Sequence, residues 1–164
     1  NAEQYLRLTI ARLILEEQME SYRQNNQTPV LRRAGELFAK LTLGSFSGLR
    51  DELDDNGKPV LLGIRADKTE VSVDGMSDGT RDQLFLALRL ATMELQRDHQ
   101  DPVHFVVDDI MVGFDDKRSK ACLEVLADFA QKTQVLVFTH HSMVAQAAHA
   151  LGLKKGVFVH ELAE

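Results

Sequence analysis

Two adjacent carboxylates follow a short apolar run in the second half of the chain. The run ends at Val107, and Asp108 and Asp109 come directly after it. A buried parallel strand would carry these acids to the sheet edge where α/β proteins bind ligands. Because successive strand side chains point to opposite faces, one acid could hold a hydrated Mg²⁺ while the other orients a water. A strand that simply ends in solvated acids is the alternative, and this segment alone does not decide between the two.

A hydroxyl and a glycine open the long helix that precedes this strand. Ser77, Asp78 and Gly79 stand at its start, and the free N–H groups of a helix N-terminus form an anion site. Simple capping by Ser77 or Asp78 explains the same residues, and both interpretations stay open here.

A second apolar run, which ends at Phe138, is followed by Thr139, His140 and His141. If its strand lies beside the first, His140 shares the edge with the two acids and can bond a phosphate oxygen or a water. We expect His141 to face the other way. The sequence does not favour a zinc site, because the only cysteine lies within a helix and no paired ligand spacing occurs.

An acidic loop joins the first of these strands to the next helix. It contains Gly113, Phe114, Asp115 and Asp116. An N-cap followed by an acidic first turn accounts for this loop taken alone.

The candidate site residues lie at the ends of predicted strands and the starts of predicted helices, which alternate along the second half of the chain. Hydrophobic periodicity predicts helices and apolar strands from Gly75 onward, with these bounds: helix 78–99, strand 103–107, helix 116–132, strand 135–138, helix 142–151 and strand 157–160. Fully apolar strands between amphipathic helices indicate a parallel sheet covered on both faces. The predicted fold class is therefore α/β.

The first 75 residues divide into three parts. Residues 1–27 form an uncapped helix with two apolar stripes, which is either a coiled-coil stub or an ordinary amphipathic helix. Residues 28–164 form the main domain, opened by Thr28 as N-cap and by a helix over 29–43. Residues 46–73 form a small antiparallel β region, with strands at 61–64 and 71–73 and a tight turn at Asn56–Gly57.

Composition excludes several classes of protein. The net charge of −6 argues against a surface that binds nucleic acid over its whole extent. No apolar stretch approaches the roughly 20 residues that a bilayer requires, so we expect no membrane association. The single cysteine and the charged N-terminal residues, which lack a signal-peptide pattern, predict a cytoplasmic protein.

The order of these motifs resembles the C-terminal half of an ATP-binding-cassette (ABC) ATPase. The resemblance is closest to the YhaN-type ATPases, relatives of SbcC and the SMC proteins. It rests on MSDGTRDQLFLALRLA (76–91), VVDDIMVGFDDKR (106–118), VLVFTHH (135–141) and the helix before Gly44. The implied fold is the C-terminal lobe of a P-loop ATPase head, with a coiled coil before it.

The resemblance implies a role for each matching residue. Asp108 corresponds to the Walker B aspartate that holds Mg²⁺ through water, and Asp109 to the acid that activates the attacking water. His140 corresponds to the switch histidine that senses the γ-phosphate. Across a head-to-head homodimer, the signature residues and the D-loop would reach the partner's ATP, and these are Ser77, Gly79 and Asp115.

The resemblance also implies what this sequence lacks. No G-x-x-x-x-G-K-[ST] loop, which would grip the phosphates of ATP, occurs in the 164 residues. We therefore expect an N-terminal lobe of the same protein to supply it, and this fragment alone to be inactive. The resemblance implies an ATPase coupled to DNA repair or chromosome maintenance, with DNA and a calcineurin-like nuclease subunit as possible partners.

Two other functions compete with an ATPase. The first is a non-catalytic dimerisation module with a degenerate ATP site, which is favoured by Asp78 at a signature glycine position and by aspartate at 109 instead of glutamate. The second is a metal-dependent nuclease that uses the acidic strand end. The sequence disfavours the nuclease because it contains no Asp-x-Asp pair.

Overall fold

The computed structural model describes residues 28–54, 57–96, 104–152 and 155–162, together with Tyr5, Thr9, Ile10, Arg12 and Ile14. Those five residues are helical and exposed, and the Thr9 hydroxyl donates to the Tyr5 carbonyl at 2.9 Å. Most of the helix predicted over residues 1–27 lies outside the described residues, so the choice between a coiled coil and an ordinary helix stays open.

Helix α1, Pro29–Leu41, begins as its sequence predicts. Thr28 caps it by accepting from the Leu31 N–H at 3.3 Å, and proline occupies the first turn. The helix stops two residues before the predicted end at 43. Thr42 is the C-cap, and its buried hydroxyl donates to the Phe38 carbonyl at 2.7 Å, which satisfies a carbonyl at the helix end.

An antiparallel sheet follows α1, with strands β1 (Phe46–Leu53), β2 (Pro59–Arg65) and β3 (Glu70–Ser72) in that order. The hairpin between β1 and β2 lies where the turn was predicted, and Gly57 there has a positive φ of 74°. Asn56 lies outside the described residues. Val73 does not belong to β3 as predicted, because it opens a 3₁₀ turn, Val73–Gly75.

The second half has the predicted alternation of helix and strand. Its elements are α2 (Asp78–Gln96), β4 (Phe105–Asp108), α3 (Asp116–Phe129), β5 (Val135–Phe138) and α4 (Ser142–Leu151). β4 and β5 pair in parallel, with Phe105 opposite Val135 and Asp108 opposite Phe138. The predicted α/β class is therefore confirmed.

Two expectations about this sheet are wrong. Val157–His160 forms no strand, because none of the described strands pairs with it and an extended segment becomes a strand only beside another. The sheet is covered on one face only. Val106, Leu136 and Phe138 are exposed on the other face, because the described residues supply no second layer there.

Helices α1 and α2 pack against each other in the core, and two polar contacts fix their alignment. Fully buried Gln83 donates from Nε2 to the Leu41 carbonyl at 2.7 Å. At the other end, the Arg33 guanidinium makes two hydrogen bonds to Glu94, at 2.5 and 3.1 Å. A bidentate pair of this kind fixes orientation as well as distance.

No helix among the described residues is long and apolar enough to cross a bilayer.

Candidate functional site

The parallel pairing of β4 with β5 brings the predicted site residues to one edge. The two strands end in register, so the acids after β4 and the Thr139–His141 segment after β5 emerge side by side. The backbone N–H of Asp109 continues the pairing by donating to the Phe138 carbonyl at 2.9 Å. His140 therefore shares the edge with the acids, as the strand-end argument predicts.

Asp109 and His140 are in direct contact. Asp109 Oδ2 lies 2.5 Å from His140 Nδ1, and Asp109 Oδ1 accepts from the His140 backbone N–H at 3.3 Å. Desolvation raises the pKa of Asp109, but hydrogen bonds from Thr139 and His140 outweigh it and hold that pKa below its usual value. The carboxylate is therefore ionised at neutral pH, while the His140 side chain remains 73% exposed.

Asp109 has a left-handed backbone, with φ of 45°. Aspartate tolerates this conformation better than most residues. The conformation ends the alternation of β4, so Asp109 leaves the strand and faces His140. Asp108 is the last residue of β4 and is exposed, so the two acids occupy different surroundings.

His141 does not face away from His140 as predicted. Its ring packs against the His140 ring, with centroids 4.1 Å apart and planes tilted by 35°. The expectation assumed that strand alternation continues past Phe138. Instead, Thr139–His141 forms a turn, in which the His141 N–H donates to Thr139 Oγ1 at 3.1 Å and α4 begins at the next residue.

An open cavity of about 500 Å³ lies between α2 and β4. Asp108 and Asp109 line it together with Asp82 and Arg89, and its apolar wall includes Phe85. Carboxylate oxygens beside open space suit a hydrated Mg²⁺, which keeps several of its waters. The residues present therefore fit a hydrated Mg²⁺, the ion for which the resemblance implies Asp108 as the ligand.

The start of α2 is held by local contacts. Ser77 is exposed, its hydroxyl lies 2.9 Å from that of Thr80, and its carbonyl accepts from the Arg81 N–H. The carboxylate of Asp78 pairs with the Arg81 guanidinium. This pairing offsets the negative charge that Asp78 places where the resemblance implies a glycine.

Gly79 packs against the loop that follows β4. A Cβ at Gly79 would stand 2.5 Å from the Gly113 carbonyl oxygen, so only glycine fits without a shift. The signature-like helix start and the acidic loop are therefore joined in one protomer. The sequence gives no sign of this role for Gly113 beyond the presence of a glycine in both segments.

Asp115 is the N-cap of α3. Its side chain accepts from the Arg118 N–H at 2.8 Å and is 63% exposed. Capping uses Oδ1, and Oδ2 lies 3.7 Å from Nε of Arg118, so both carboxylate oxygens have a partner at the start of α3.

Sequence comparison finds one similar curated protein of known sequence. No family model matches the chain. It is 29% identical over 151 residues to the uncharacterized protein YhaN of Bacillus subtilis (strain 168), and the match covers 91% of this chain but 15% of that protein. The chain thus spans less than a sixth of that relative.

Solved SMC head structures share the fold. A structure from work on ATP-driven dimerization and DNA stimulated activation of SMC ATPases superposes with a TM-score of 0.58 at 23% identity, covering 73% of this chain and 71% of that one. The Smc head of Pyrococcus furiosus, bound to the C-terminal domain of ScpA, gives 0.56 at 21% identity, covering 88% and 40%. The chain has the SMC-head fold.

The SMC-head fold and the YhaN match confirm the resemblance to an SMC-like ATPase head. The SMC head of Thermotoga maritima gives a TM-score of 0.54 at 22% identity, covering 75% of this chain and 41% of that one. At these identities the structural likeness establishes the SMC-head fold, and the roles of individual residues rest on their own geometry.

Proposed function

We propose that this chain is the C-terminal lobe of an ATPase head, in which ATP joins two heads and hydrolysis releases them. The observation that carries this proposal is the contact between Asp109 and His140 at the end of two parallel strands. An ionised acid held by a histidine beside a carboxylate-lined cavity is suited to activate water next to a phosphate. The SMC-head fold supports the proposal.

Each edge residue has a distinct role in this proposal. Asp108 binds Mg²⁺ through water, and Asp109, whose lowered pKa keeps it ionised, accepts a proton from the attacking water. His140 keeps Nδ1 against Asp109 and presents Nε2 to the γ-phosphate, which its exposed ring permits. Asp109 and His140 therefore act as a pair.

The signature and D-loop residues act on the ATP of a second head. Ser77 and Asp115 are exposed, while Gly79 joins the segments that carry them. Because Gly79 is packed against Gly113, we assign it to shaping this surface, and we assign the phosphate contact to Ser77 and the helix N-terminus. In the proposed head-to-head homodimer, this surface faces the ATP of the partner head.

An N-terminal lobe of the same protein completes the head. It supplies the phosphate-gripping loop that the 164 residues lack, and it covers the exposed apolar face that bears Val106, Leu136 and Phe138. We propose that the complete protein acts in the cytoplasm in DNA repair or chromosome maintenance. An SbcC-like nuclease subunit and DNA are its proposed partners.

The decisive experiment uses a protein in which the N-terminal lobe is joined to this chain. Asp109→Asn should retain ATP binding, lose turnover and accumulate as an ATP-bound dimer, because the amide cannot accept a proton. Asp116→Asn is the matched control, since Asp116 is an exposed acid in the first turn of α3, and it should behave as wild type. Turnover of Asp109→Asn within a few-fold of wild type would refute the assignment.

A non-catalytic dimerisation module is the second candidate. One observation favours it: the Ser77 hydroxyl, the Asp78 carboxylate and the Asp115 carboxylate all have partners within their own helix start. The joined protein decides between the two functions. A module dimerises with ATP but shows no turnover, and Asp109→Asn then changes nothing.

A further inference from the structure

We propose that Asp109, His140 and His141 form a binding site for a divalent transition-metal ion, with Zn²⁺ as its representative. Each of the three side chains offers one ligand atom, and these atoms all lie within 4.8 Å of one another. Two imidazoles and a carboxylate make a set of three protein ligands, which leaves a fourth position for water.

Hydrogen bonds hold the backbone of two of the three ligand residues. Asp109 is held by its N–H bond to the Phe138 carbonyl and by its left-handed turn. His141 is held by its N–H bond to Thr139 and by the first turn of α4, where its carbonyl accepts from Val144. Ligand residues whose backbone is held lose less conformational entropy when an ion binds.

One ring nitrogen of His141 makes no hydrogen bond to the described residues. This atom, Nε2, is shielded from solvent. A shielded polar atom without a partner costs free energy, and an ion bound to this nitrogen would remove that cost. His140 is the adjustable ligand, since its side chain is 73% exposed and its Nδ1 already lies 2.5 Å from the Asp109 carboxylate.

The chemical types of the three ligands determine which metal ions the site favours. Imidazole suits Zn²⁺, Co²⁺ and Ni²⁺, whereas Mg²⁺ prefers oxygen ligands and retains its waters. The site is therefore distinct from the proposed Mg²⁺ position at Asp108. The sequence argument against zinc looked for paired ligands at a fixed spacing, and this cluster is instead assembled from the turns after two different strands.

This site has a regulatory consequence. An ion there would occupy the Asp109 carboxylate and the His140 ring together, and these are the groups that the proposed function assigns to hydrolysis. Zn²⁺ would then hold an assembled head inactive. Metal binding itself does not depend on the proposed function, so it can be measured on the 164-residue chain without ATP.

The test is calorimetric titration of the untagged chain with ZnCl₂. We expect one equivalent to bind, and His141→Gln and Asp109→Asn each to weaken binding by about ten-fold or more. His149→Gln and His160→Gln are matched controls because both histidines are exposed and lie outside the cluster, and they should bind Zn²⁺ as wild type does. Equal affinity of His141→Gln and wild type would overturn the proposal.

Two measurements on the wild-type chain test the site even if a variant unfolds. Zn²⁺ should shift the imidazole NMR signals of His140 and His141 alone among the six histidines, and shifts confined to other histidines would overturn the site. Millimolar Mg²⁺ should leave Zn²⁺ binding unchanged, whereas displacement by Mg²⁺ would contradict the predicted preference.

Discussion

The Gly113 carbonyl oxygen lies 2.5 Å from the point that a Cβ on Gly79 would occupy. The first turn of α2 and the loop after β4 therefore approach each other closely through backbone atoms. The contact joins the segment that opens the signature-like helix to the segment that leads to Asp115.

Replacement of Gly79 by alanine should destabilise the chain. The new methyl group meets a backbone oxygen, which has less room to move than a side chain, and overpacking of this kind costs about 1–3 kcal/mol. Thermal unfolding should show a melting temperature lower by several degrees. Gly48→Ala is the matched control, because nothing lies within 4 Å of a Cβ there. Equal melting temperatures for the two variants would contradict the packing role.

Gln83→Leu should lower stability although leucine is apolar and the site is buried. The change leaves the buried Leu41 carbonyl unpaired, which costs about 1–3 kcal/mol, and it removes Gln83 Oε1, which is buried without a described partner and offsets part of that loss. Denaturant unfolding measures the loss. Gln131→Leu provides the control, since Gln131 is exposed and its hydrogen bonds are 3.4 Å long, and its effect should stay within about 0.5 kcal/mol.

The thiol of Cys122 should resist alkylation in the native chain. Cys122 is fully buried, and burial raises its pKa to about 12, so almost no thiolate exists at pH 8. Iodoacetamide followed by mass spectrometry should show labelling only in denaturant. Ser45→Cys adds an exposed thiol as a positive control. Native labelling of Cys122 at the rate of that control would contradict its place in the core.

Ser77→Arg distinguishes a signature residue from a helix cap. In a complete head with the Asp109→Asn block, we expect ATP binding to remain and ATP-induced dimerisation to be lost, because an exposed bulky side chain would stand in the dimer interface. Size-exclusion chromatography with and without ATP measures this. Ser45→Arg, at an exposed turn, should dimerise normally. Capping alone predicts a stability loss of about 1 kcal/mol and normal dimerisation of Ser77→Arg.

The isolated chain should bind Mg·ATP poorly, because the 164 residues lack a phosphate-gripping loop. Calorimetric titration of Mg·ATP into the chain is the measurement. A dissociation constant near 1 μM, which corresponds to about −8 kcal/mol, would reveal a phosphate grip that neither the sequence nor the site geometry suggests.

Hydrophobic periodicity and capping residues predicted the elements whose bounds are set within their own segments. The bounds of β5 and α4 match the prediction, and the Thr28 cap of α1 is where a threonine before proline predicts it. The shared edge of Asp109 and His140 also followed from the sequence, because neighbouring parallel strands end at one edge of the sheet, whereas their direct contact is seen only in the structure.

The features that the sequence did not predict depend on contacts between separate segments or on the exact course of the backbone. Val157–His160 has the pattern of a strand but no described partner, and pairing is a property of two segments. β1 was not among the predicted strands, since its charged residues obscure the alternation that its pairing with β2 makes clear. The stacking of His141 on His140 depends on a tight turn, and residue types alone do not specify that turn.

The two-stranded parallel sheet has a consequence for handling the protein. Among the described residues, β4 and β5 pair only with each other, so each strand leaves one side of its backbone groups unpaired beside exposed Val106 and Phe138. Bare strand edges readily accept strands from other molecules. We therefore expect the purified fragment to self-associate at high concentration through these edges, and the association should disappear when the proposed N-terminal lobe is co-expressed.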